Sequence, residues 1–332
     1  MSVTPAPAHH ANTSKTALLF PGQGAQAVGM GKDLASVFPR AKAVFEQADK
    51  ALGFALSRTC FEGPDTELNR TDVSQPAILA HSWAVVEVLK EHEKGQQLLN
   101  SAVAVAGLSL GEYSALAAAG AIAWEDALRL VRARGRYMQE ACDAAPSTMA
   151  SILGMERASL EEVCKQASTK GVCVLANINS AEQIAIAGTK EAIAYACELA
   201  KAAGAKRCIE LSVAGAFHSP LMEPARERLA AEIDAVAFAD PRLPVVANVT
   251  AKPVTTAGEA KRLLVAQLTA PVLWADSMQL LVNDNFSDFY ELGPGTVLAG
   301  LLKRVAKEAN KVSLGTAESL SLFLKATGKL PV

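Results

Sequence analysis

A short apolar run that leads into a glycine-flanked serine constrains the fold of this chain more than any other feature. The segment SAVAVAGLSLGEYSALAAAGA places Gly107-Leu108-Ser109-Leu110-Gly111 between a predicted strand, Ala102–Ala106, and a predicted helix that begins near Glu112. The glycines permit a turn that is too tight for side chains on either flank. This strand–turn–helix context is typical of the G-x-S-x-G nucleophile elbow of α/β proteins, although a serine in an ordinary glycine turn is the alternative. The segment therefore predicts an α/β fold with Ser109 as a nucleophile and the Leu110 N–H as an oxyanion donor.

The remaining elements extend this pattern and predict two domains. Strands are predicted at Thr16–Phe20, Leu243–Val249 and Phe289–Leu292, and the helical period of Lys32–Leu52 predicts one continuous helix. Residues 148–213 instead follow the order β-α-β-β-α-β, which is the ferredoxin-like order. The predicted organisation is a disordered leader (1–14), a large α/β-hydrolase-like domain with a parallel sheet core (15–145 and 214–332), and a small inserted ferredoxin-like domain (146–213).

Composition and charge exclude several classes of partner. Half of the 332 residues are apolar, so the chain can bury a large core. A formal net charge of −2 gives no general attraction to nucleic acid or to an anionic membrane surface. No uninterrupted apolar run reaches the roughly 18 residues of a membrane span. We therefore expect a soluble protein with no nucleic-acid or membrane partner.

The cysteines and the leader bear on the compartment. No cysteine lies in a C-x-x-C pair or at zinc-ligand spacing from a histidine, so no metal site is expected. The leader MSVTPAPAHHANTSK has the pattern of neither a signal peptide nor an organellar presequence. We expect a cytoplasmic protein, with the plastid or mitochondrial matrix as the alternative if the leader is a trimmed presequence. The six cysteines are expected to be reduced core residues: Cys60, Cys142, Cys164, Cys173, Cys197 and Cys208.

The glycine loop FPGQGAQA at residues 20–27 resembles a dinucleotide-binding loop of the form G-x-G-x-x-A. Such a loop must open directly into a helix, and a second strand must end in an acidic residue about 20 positions later. Gly29 and Gly31 lie where the first helical turns should be, and no strand precedes Glu46 or Asp49. The context therefore argues against a dinucleotide site.

His218 is the candidate general base for Ser109. It lies in VAGAFHSPLMEPA, directly before Ser219-Pro220, which is typical of the N-cap and first residue of a helix. A helix N-terminus favours the neutral imidazole that a base requires. A histidine that merely ends a loop is the alternative. The other histidines lie in the leader or on the predicted helix 75–92, and are His9, His10, His81 and His92.

One arginine lies on the apolar face of its helix. In WEDALRLVRARGRYMQEAC, Arg134 falls within the stripe formed by residues such as Leu130, Val131 and Met138, whereas Arg129 and Arg132 lie on the opposite face. A buried cation must be paired, since an isolated one is very unfavourable. An internal ion pair and a guanidinium fork for a substrate carboxylate both remain open.

These motifs together resemble the malonyl-CoA:acyl-carrier-protein transacylases. The similarity runs in order through FPGQGAQAVGMG, SQPAIL, GLSLGEYSAL, VRARGRYMQEA, AGAFHSPLMEPA, QLTAPVLW and YELGPGTVLAGLLKR, from about Lys15 to about Lys307. Several independent motifs in register are more specific than any one of them. One departure is Leu108, where many bacterial members carry histidine, and it leaves the compartment open.

The resemblance implies a role for each matching residue. Ser109 would be the nucleophile, His218 its base, and Arg134 the ligand of the malonyl carboxylate. The N–H groups of Gln23 and Leu110 would form the oxyanion hole, and the main-chain carbonyl of Gln267 would orient His218 in place of a triad aspartate. The remaining implied substrate-binding residues are Gln75, Asn177, Asn179 and Phe217, of which Phe217 would crowd a branched acyl group.

The resemblance also implies a reaction and its partners. Malonyl would pass from malonyl-CoA to the phosphopantetheine thiol of an acidic acyl carrier protein, by a ping-pong mechanism through a malonyl-serine, for fatty-acid biosynthesis. Neither a metal nor a tightly bound cofactor is implied, and we expect a monomer. Lys201, Lys206 and Arg207 are either a carrier-protein contact or a solvated face. The alternatives are a serine esterase or thioesterase, a polyketide-pathway malonyltransferase, and a non-catalytic docking module for the carrier protein.

Overall fold

The computed structural model describes residues 14–326. Except for Ser14, the predicted leader lies outside the described residues. The strands of the described part are β1 (Lys15–Phe20), β2 (Ala102–Gly107), β3 (Ser147–Leu153), β4 (Cys173–Ser180), β5 (Gln183–Thr189), β6 (Arg207–Glu210), β7 (Val245–Val246), β8 (Pro253–Val254), β9 (Phe286–Leu292) and β10 (Asn310–Leu314). The helices are α1 (Lys32–Val37), α2 (Pro39–Leu52), α3 (Leu56–Glu62), α4 (Asp65–Leu68), α5 (Thr71–Glu91), α6 (Glu93–Ser101), α7 (Gly111–Ala118), α8 (Trp124–Ala144), α9 (Arg157–Ala167), α10 (Lys190–Ala202), α11 (Glu223–Ala235), α12 (Ala257–Gln267), α13 (Trp274–Asn283), α14 (Val297–Val305) and α15 (Ala317–Lys325). Short 3₁₀ helices lie at Ser168–Lys170 and Pro220–Met222.

The larger sheet has the strand order β10-β9-β1-β2-β7-β8 in the described part of the chain. Every pairing is parallel except that of β7 with β8. Leu18 and Phe20 of β1 belong to the core cluster on one face, and Ala17 and Leu19 belong to the cluster on the other. A sheet buried on both faces explains why its strands are continuous apolar runs instead of alternating ones.

The register of β1 and β2 positions the predicted site. Phe20 pairs with Gly107, so the two strands end side by side. The glycine loop that follows β1 and the serine turn that follows β2 therefore leave the same edge of the sheet. This carboxyl edge is where open parallel sheets bind their ligands.

The smaller sheet has the order β4-β5-β3-β6, and all of its pairings are antiparallel. Along the chain its elements follow the order β3-α9-β4-β5-α10-β6. It has a hydrophobic cluster of its own, which includes Ile152, Leu160 and Ile186. Two backbone hydrogen bonds with Val272 attach it to the rest of the chain: the Ile178 N–H donates to Val272 at 2.8 Å, and the Val272 N–H donates to Ala176 at 2.8 Å.

The predicted single helix Lys32–Leu52 is wrong, because the chain forms α1 and α2 with a break at Phe38. Phe38 has an extended backbone, with φ −115° and ψ 110°. Proline disfavours the helical conformation in the residue before it, so Pro39 stops α1 and then occupies the first turn of α2.

The predicted strand Leu243–Val249 is also too long. Only Val245–Val246 pairs with β2 and β8, and the chain turns immediately afterwards. Asn248 lies in that turn, where its side chain bonds the backbone at Gly107 and Ser109. The apolar pattern of Leu243–Val249 does not distinguish a long strand from a short strand followed by a buried turn, because the polar residue in the turn, Asn248, is itself buried.

The cysteine prediction is correct for four residues and wrong for two. Cys197 on α10 and Cys208 on β6 are half-buried and joined by a disulfide, with their Cα atoms 5.7 Å apart. Their spacing matches no motif, and only the packing of α10 against the small sheet brings them together. The buried free thiols are those of Cys60, Cys142, Cys164 and Cys173.

No helix within residues 14–326 has both the length and the apolar character needed to cross a membrane. In the same range, no group of three or more histidine, cysteine, aspartate or glutamate side chains is placed to hold a metal ion.

Candidate active site

Ser109 lies in a strained turn between β2 and α7. Its φ of 52° is in the left-handed region, which a non-glycine residue rarely adopts without support from its surroundings. A Cβ added at Gly107 would overlap the carbonyl of Gly111, and one added at Gly111 would overlap the carbonyl of Phe20. Both flanking glycines are therefore required, as the sequence predicted.

The structure brings His218 to Ser109, although 109 residues separate them in the chain. Ser109 Oγ lies 2.8 Å from His218 Nε2, and both side chains are buried. His218 also has a left-handed backbone, with φ 58°. Ser219 caps the following 3₁₀ helix as predicted, since its hydroxyl accepts from the Leu221 N–H, and the same hydroxyl donates to the Ala216 carbonyl at 2.6 Å.

The tautomer of His218 follows from its second contact. Nδ1 lies 2.8 Å from the main-chain carbonyl of Gln267, and a carbonyl can only accept. Nδ1 therefore carries the proton, and Nε2 is free to accept the proton of Ser109. Among the described residues no carboxylate hydrogen-bonds this imidazole, and the acids Asp240 and Asp276 have other partners, Ala257 and Arg157.

Burial, followed by the positive charge of Arg134, lowers the pKa of His218 to about 4. Both effects disfavour the imidazolium ion. The imidazole is consequently neutral at physiological pH, which is the form that a general base requires.

Arg134 is 1 % exposed and points at the same hydroxyl. Its Nη2 donates to Ser109 Oγ at 3.1 Å and to Gln267 Oε1 at 3.0 Å, while Nη1 donates to Gln75 Oε1 at 2.7 Å. Within residues 14–326 no acid forms an ion pair with it, and its Nε has no hydrogen-bond partner. A buried cation held only by neutral groups can accept a carboxylate without first breaking a salt bridge.

A cavity of about 290 Å³ opens between the carboxyl edge of the large sheet and the small sheet, and Ser109 and His218 lie in its wall. Its wall brings together six of the predicted residues and joins them to β4 and β5. Arg134, Gln75, Leu110 and Gln267 are buried behind this wall, and Leu110 is the N-cap residue of α7. The predicted residues that line the cavity are Gln23, Ser109, Asn177, Asn179, Phe217 and His218.

Two further residues, Asn248 and Glu112, support the site and were not predicted from the sequence. Asn248 Oδ1 accepts from the Ser109 N–H at 2.6 Å, and its Nδ2 donates to the Gly107 carbonyl at 2.7 Å. Glu112, in the first turn of α7, accepts from the Gln267 side chain at 2.8 Å. A single charged residue in the otherwise uncharged segment GEYSALAA was the available signal for Glu112.

Comparisons with known proteins agree on one family. The family model for the acyl transferase domain matches residues 17–323. The malonyl CoA-acyl carrier protein transacylase of Bacillus subtilis strain 168 is 43 % identical over 94 % of this chain and 97 % of its own length, and that of Escherichia coli K12 is 40 % identical over 93 % and 98 %.

Solved structures show the same similarity. The crystal structure of MCAT from Streptococcus pneumoniae is 41 % identical in sequence, with a TM-score of 0.87 over 94 % of this chain and 99 % of that one. A malonyl-transacylase solved in complex with its type II polyketide synthase acyl-carrier protein is 38 % identical, with a TM-score of 0.89 over 94 % and 99 %.

Proposed function

The chain belongs to the malonyl CoA-acyl carrier protein transacylase family, and from this premise we propose that it transfers malonyl from malonyl-CoA to the phosphopantetheine thiol of an acyl carrier protein. It is an acyltransferase, and the malonyl group it loads would supply fatty-acid synthesis. One observation carries the proposal: the Ser109 hydroxyl lies 2.8 Å from the His218 imidazole and 3.1 Å from the buried guanidinium of Arg134, which forms no ion pair within residues 14–326.

The first half-reaction would form a malonyl-serine. Ser109 Oγ attacks the thioester carbon of malonyl-CoA while His218 Nε2 takes its proton. The oxyanion would be met by the N–H groups of Gln23 and Leu110. Collapse of the tetrahedral intermediate breaks the carbon–sulfur bond, and the departing CoA thiolate receives the proton from His218.

The second half-reaction would reverse these steps with a different thiol. The phosphopantetheine thiol of the carrier protein gives its proton to His218 and attacks the malonyl-serine carbonyl. The serine oxygen leaves and recovers the proton, so the enzyme returns to its starting state. This ping-pong scheme needs neither a metal nor a tightly bound cofactor.

Substrate selection would depend on the residues around the acyl group. Arg134 would bind the malonyl carboxylate through two N–H groups, and Gln75 holds the guanidinium in place at 2.7 Å. Phe217 lines the cavity and would crowd a branched acyl group. Asn177 and Asn179 project from β4 into the same cavity, where their amides would bind polar atoms of the substrate.

We infer that the chain divides as the sequence predicted, with a leader at 1–14 whose residues 1–13 lie outside the described part. The α/β-hydrolase-like domain would comprise 15–145 and 214–332, and the ferredoxin-like domain 146–213, with the cavity between them. The enzyme would act as a monomer. Lys201, Lys206 and Arg207 of the smaller domain are the proposed contact for an acidic carrier protein.

Two other functions use similar chemistry. The similarity to a polyketide malonyl-transacylase favours polyketide supply as the second candidate pathway, and assays with carrier proteins of both kinds would separate the two. A serine esterase or thioesterase is disfavoured, because a fixed inward cation suits an acyl group that carries a carboxylate. A docking module is disfavoured because Ser109 and His218 are hydrogen-bonded.

Intact-protein mass spectrometry after incubation with malonyl-CoA, without acceptor thiol, tests the proposal. We expect one malonyl group per chain, mapped to the peptide that contains Ser109 and absent from Ser109→Ala. Carrier protein should then remove the group and become malonylated. Rapid release of free malonate with no acyl-enzyme would instead indicate a hydrolase.

The pH dependence should report the lowered pKa of His218. The base is active only when neutral, so kcat/KM should fall with decreasing pH around about 4, and not around the ordinary histidine value of 6.5. From pH 5 to 8 this group should contribute no slope. Acetyl-CoA is the suitable substrate, because its acyl group carries no carboxylate that titrates in this range. An acidic limb centred at pH 6 or above would contradict the prediction.

A further inference from the structure

Glu112 is a buried acid that the proposed reaction does not use. It lies in the first turn of α7, three residues after the nucleophile, is 3 % exposed, and does not line the cavity. Its Oε2 accepts two hydrogen bonds, from Gln267 Nε2 at 2.8 Å and from the Asn248 N–H at 3.1 Å. Burying a carboxyl group costs free energy unless its oxygens are hydrogen-bonded, so the hydrogen-bond partners of Glu112 indicate what the carboxyl group does.

The first of these partners contacts the nucleophile turn, the base and the guanidinium of the proposed site. Gln267 Nε2 also donates to the Ser109 carbonyl at 3.0 Å, and Gln267 Oε1 accepts from Arg134 at 3.0 Å. The main-chain carbonyl of the same residue holds His218 at 2.8 Å. The side-chain amide of Gln267 thus holds the guanidinium, whereas its main-chain carbonyl holds the base, so a displacement of the side chain disturbs Arg134 more than His218.

The second partner holds the nucleophile turn. The Asn248 side chain accepts from the Ser109 N–H and donates to the Gly107 carbonyl. Glu112 accepts from the backbone N–H of Asn248, so one carboxylate oxygen joins the two amide residues that surround Ser109. The side chains of Asn248 and Gln267 also contact each other directly, but at the longer distance of 3.5 Å from Gln267 Nε2 to Asn248 Oδ1, so Glu112 supplies the shorter link between the two residues.

We propose that Glu112 is a positioning residue of the malonyl site, whose carboxyl oxygen fixes the Gln267 side chain and the Asn248 backbone and thereby keeps Arg134 in register with Ser109. The inference rests on the proposed malonyl transfer. Acetyl transfer needs only the serine, its base and the oxyanion donors, whereas malonyl transfer also needs the guanidinium. Loss of the Glu112 contact should therefore affect malonyl transfer more than acetyl transfer.

This role requires a side chain long enough to place an acceptor oxygen beside the Gln267 amide, and it does not require a negative charge. The Gln267 amide lies between Glu112 and Arg134, so the two charged groups do not form a direct pair. Burial raises the pKa of Glu112 to about 7, so part of the population is neutral near physiological pH. Either protonation state retains an oxygen that accepts from Gln267, whereas compensation of the Arg134 charge would vanish on protonation.

Two substitutions of Glu112 separate the effect of side-chain length from the effect of charge. Glu112→Gln keeps the length and an acceptor oxygen but removes the charge, and Glu112→Asp keeps the charge but withdraws the carboxylate by one methylene. We expect Glu112→Gln to stay within about threefold of the parent kcat/KM for both acyl groups. We expect Glu112→Asp to lower malonyl transfer by about 10- to 100-fold and acetyl transfer by less than about fivefold, from the loss of buried hydrogen bonds.

Glu87 provides the matched control. It is a buried glutamate on α5 that pairs with Arg40 and Lys90 and does not line the cavity. Glu87→Gln and Glu87→Asp should leave the malonyl-to-acetyl ratio unchanged. If Glu112→Asp does not fold, Gln267→Met breaks the same link from the other side and keeps the carbonyl that holds His218. The same selective loss is then expected, and its absence would overturn the proposal.

The results distinguish this inference from the function on which it rests. A parent protein that forms no malonyl-serine would refute the proposed function. A parent protein that transfers malonyl, together with a Glu112→Asp variant whose malonyl and acetyl rates fall equally, would refute the positioning role alone. The reverse pattern, with Glu112→Gln impaired and Glu112→Asp active, would assign charge compensation to Glu112 and also overturn the proposal.

Discussion

Alanine in place of Ser109 is expected to abolish the malonyl-enzyme and to lower malonyl transfer by about 10⁴- to 10⁶-fold, as for other enzymes that lose a covalent nucleophile. The hydroxyl is the only atom that can form the ester, and its position depends on a backbone that few residue types adopt. Alanine removes Oγ without requiring any movement of the turn. The measurement is the steady-state kcat for malonyl transfer, together with the mass of the protein after exposure to malonyl-CoA.

Alanine in place of His218 should produce a loss of similar size, and the double variant should be little worse than either single one. The two side chains act as one unit through the 2.8 Å contact, so their effects are not additive. His81→Ala is not a suitable control, because His81 is buried in the core. The side chain of the half-buried His92 hydrogen-bonds the carbonyl of Val88 and does not line the cavity, so His92→Ala should retain activity. Multiplicative losses in the double variant would contradict the pairing.

Rules that apply to neighbouring residues in the sequence were sufficient to predict several local features of the site. The glycines around Ser109, the cap at Ser219 and the inward face of Arg134 each follow from steric, capping or periodicity rules within a few residues. The structure agrees with all three. The break before Pro39 follows from a rule of the same kind, since proline disfavours the helical conformation in the preceding residue. The helical period of Lys32–Leu52 does not reveal it.

Contacts between distant segments were not accessible in this way. Asn248 and Ser109 are 139 residues apart, and Gln267 and Glu112 are 155 apart. A polar residue in an apolar segment shows that a partner is required but does not identify it. The resemblance to a family predicted that the Gln267 carbonyl orients His218. The contacts of the Gln267 side chain with Ser109 and Arg134 could be identified only from the structure.

The hydrogen bonds of Gln267 perform the orienting function that an aspartate performs in a catalytic triad. Its carbonyl fixes the imidazole tautomer, and its amide holds both the serine backbone and the guanidinium. An aspartate beside His218 would add a negative charge near the place where the malonyl carboxylate has to bind. A neutral carbonyl orients the base without repelling the substrate, so the base and the proposed carboxylate ligand, Arg134, can both hydrogen-bond the Ser109 hydroxyl.

Alanine in place of Arg134 is therefore expected to impair malonyl transfer selectively. Loss of a charge-assisted bidentate contact costs about 2–5 kcal/mol, which corresponds to a decrease in kcat/KM of roughly 30- to several-thousand-fold. Arg134→Lys should recover little of it, because an ammonium group cannot reproduce the planar fork that Gln75 and Gln267 hold. Acetyl transfer should fall much less, since an acetyl group presents no carboxylate.

The comparison of acyl groups decides between two effects of the same side chain. Arg134 also donates to Ser109 Oγ and lowers the pKa of His218, so its loss changes the nucleophile and the base for every substrate. That shared effect appears with acetyl-CoA, and the additional loss with malonyl-CoA measures the clamp. Arg129 lies on the exposed face of the same helix, paired with Asp126, so Arg129→Ala should leave both rates nearly unchanged. Equal losses for the two acyl groups in Arg134→Ala would show that the guanidinium serves the serine and not the substrate carboxylate.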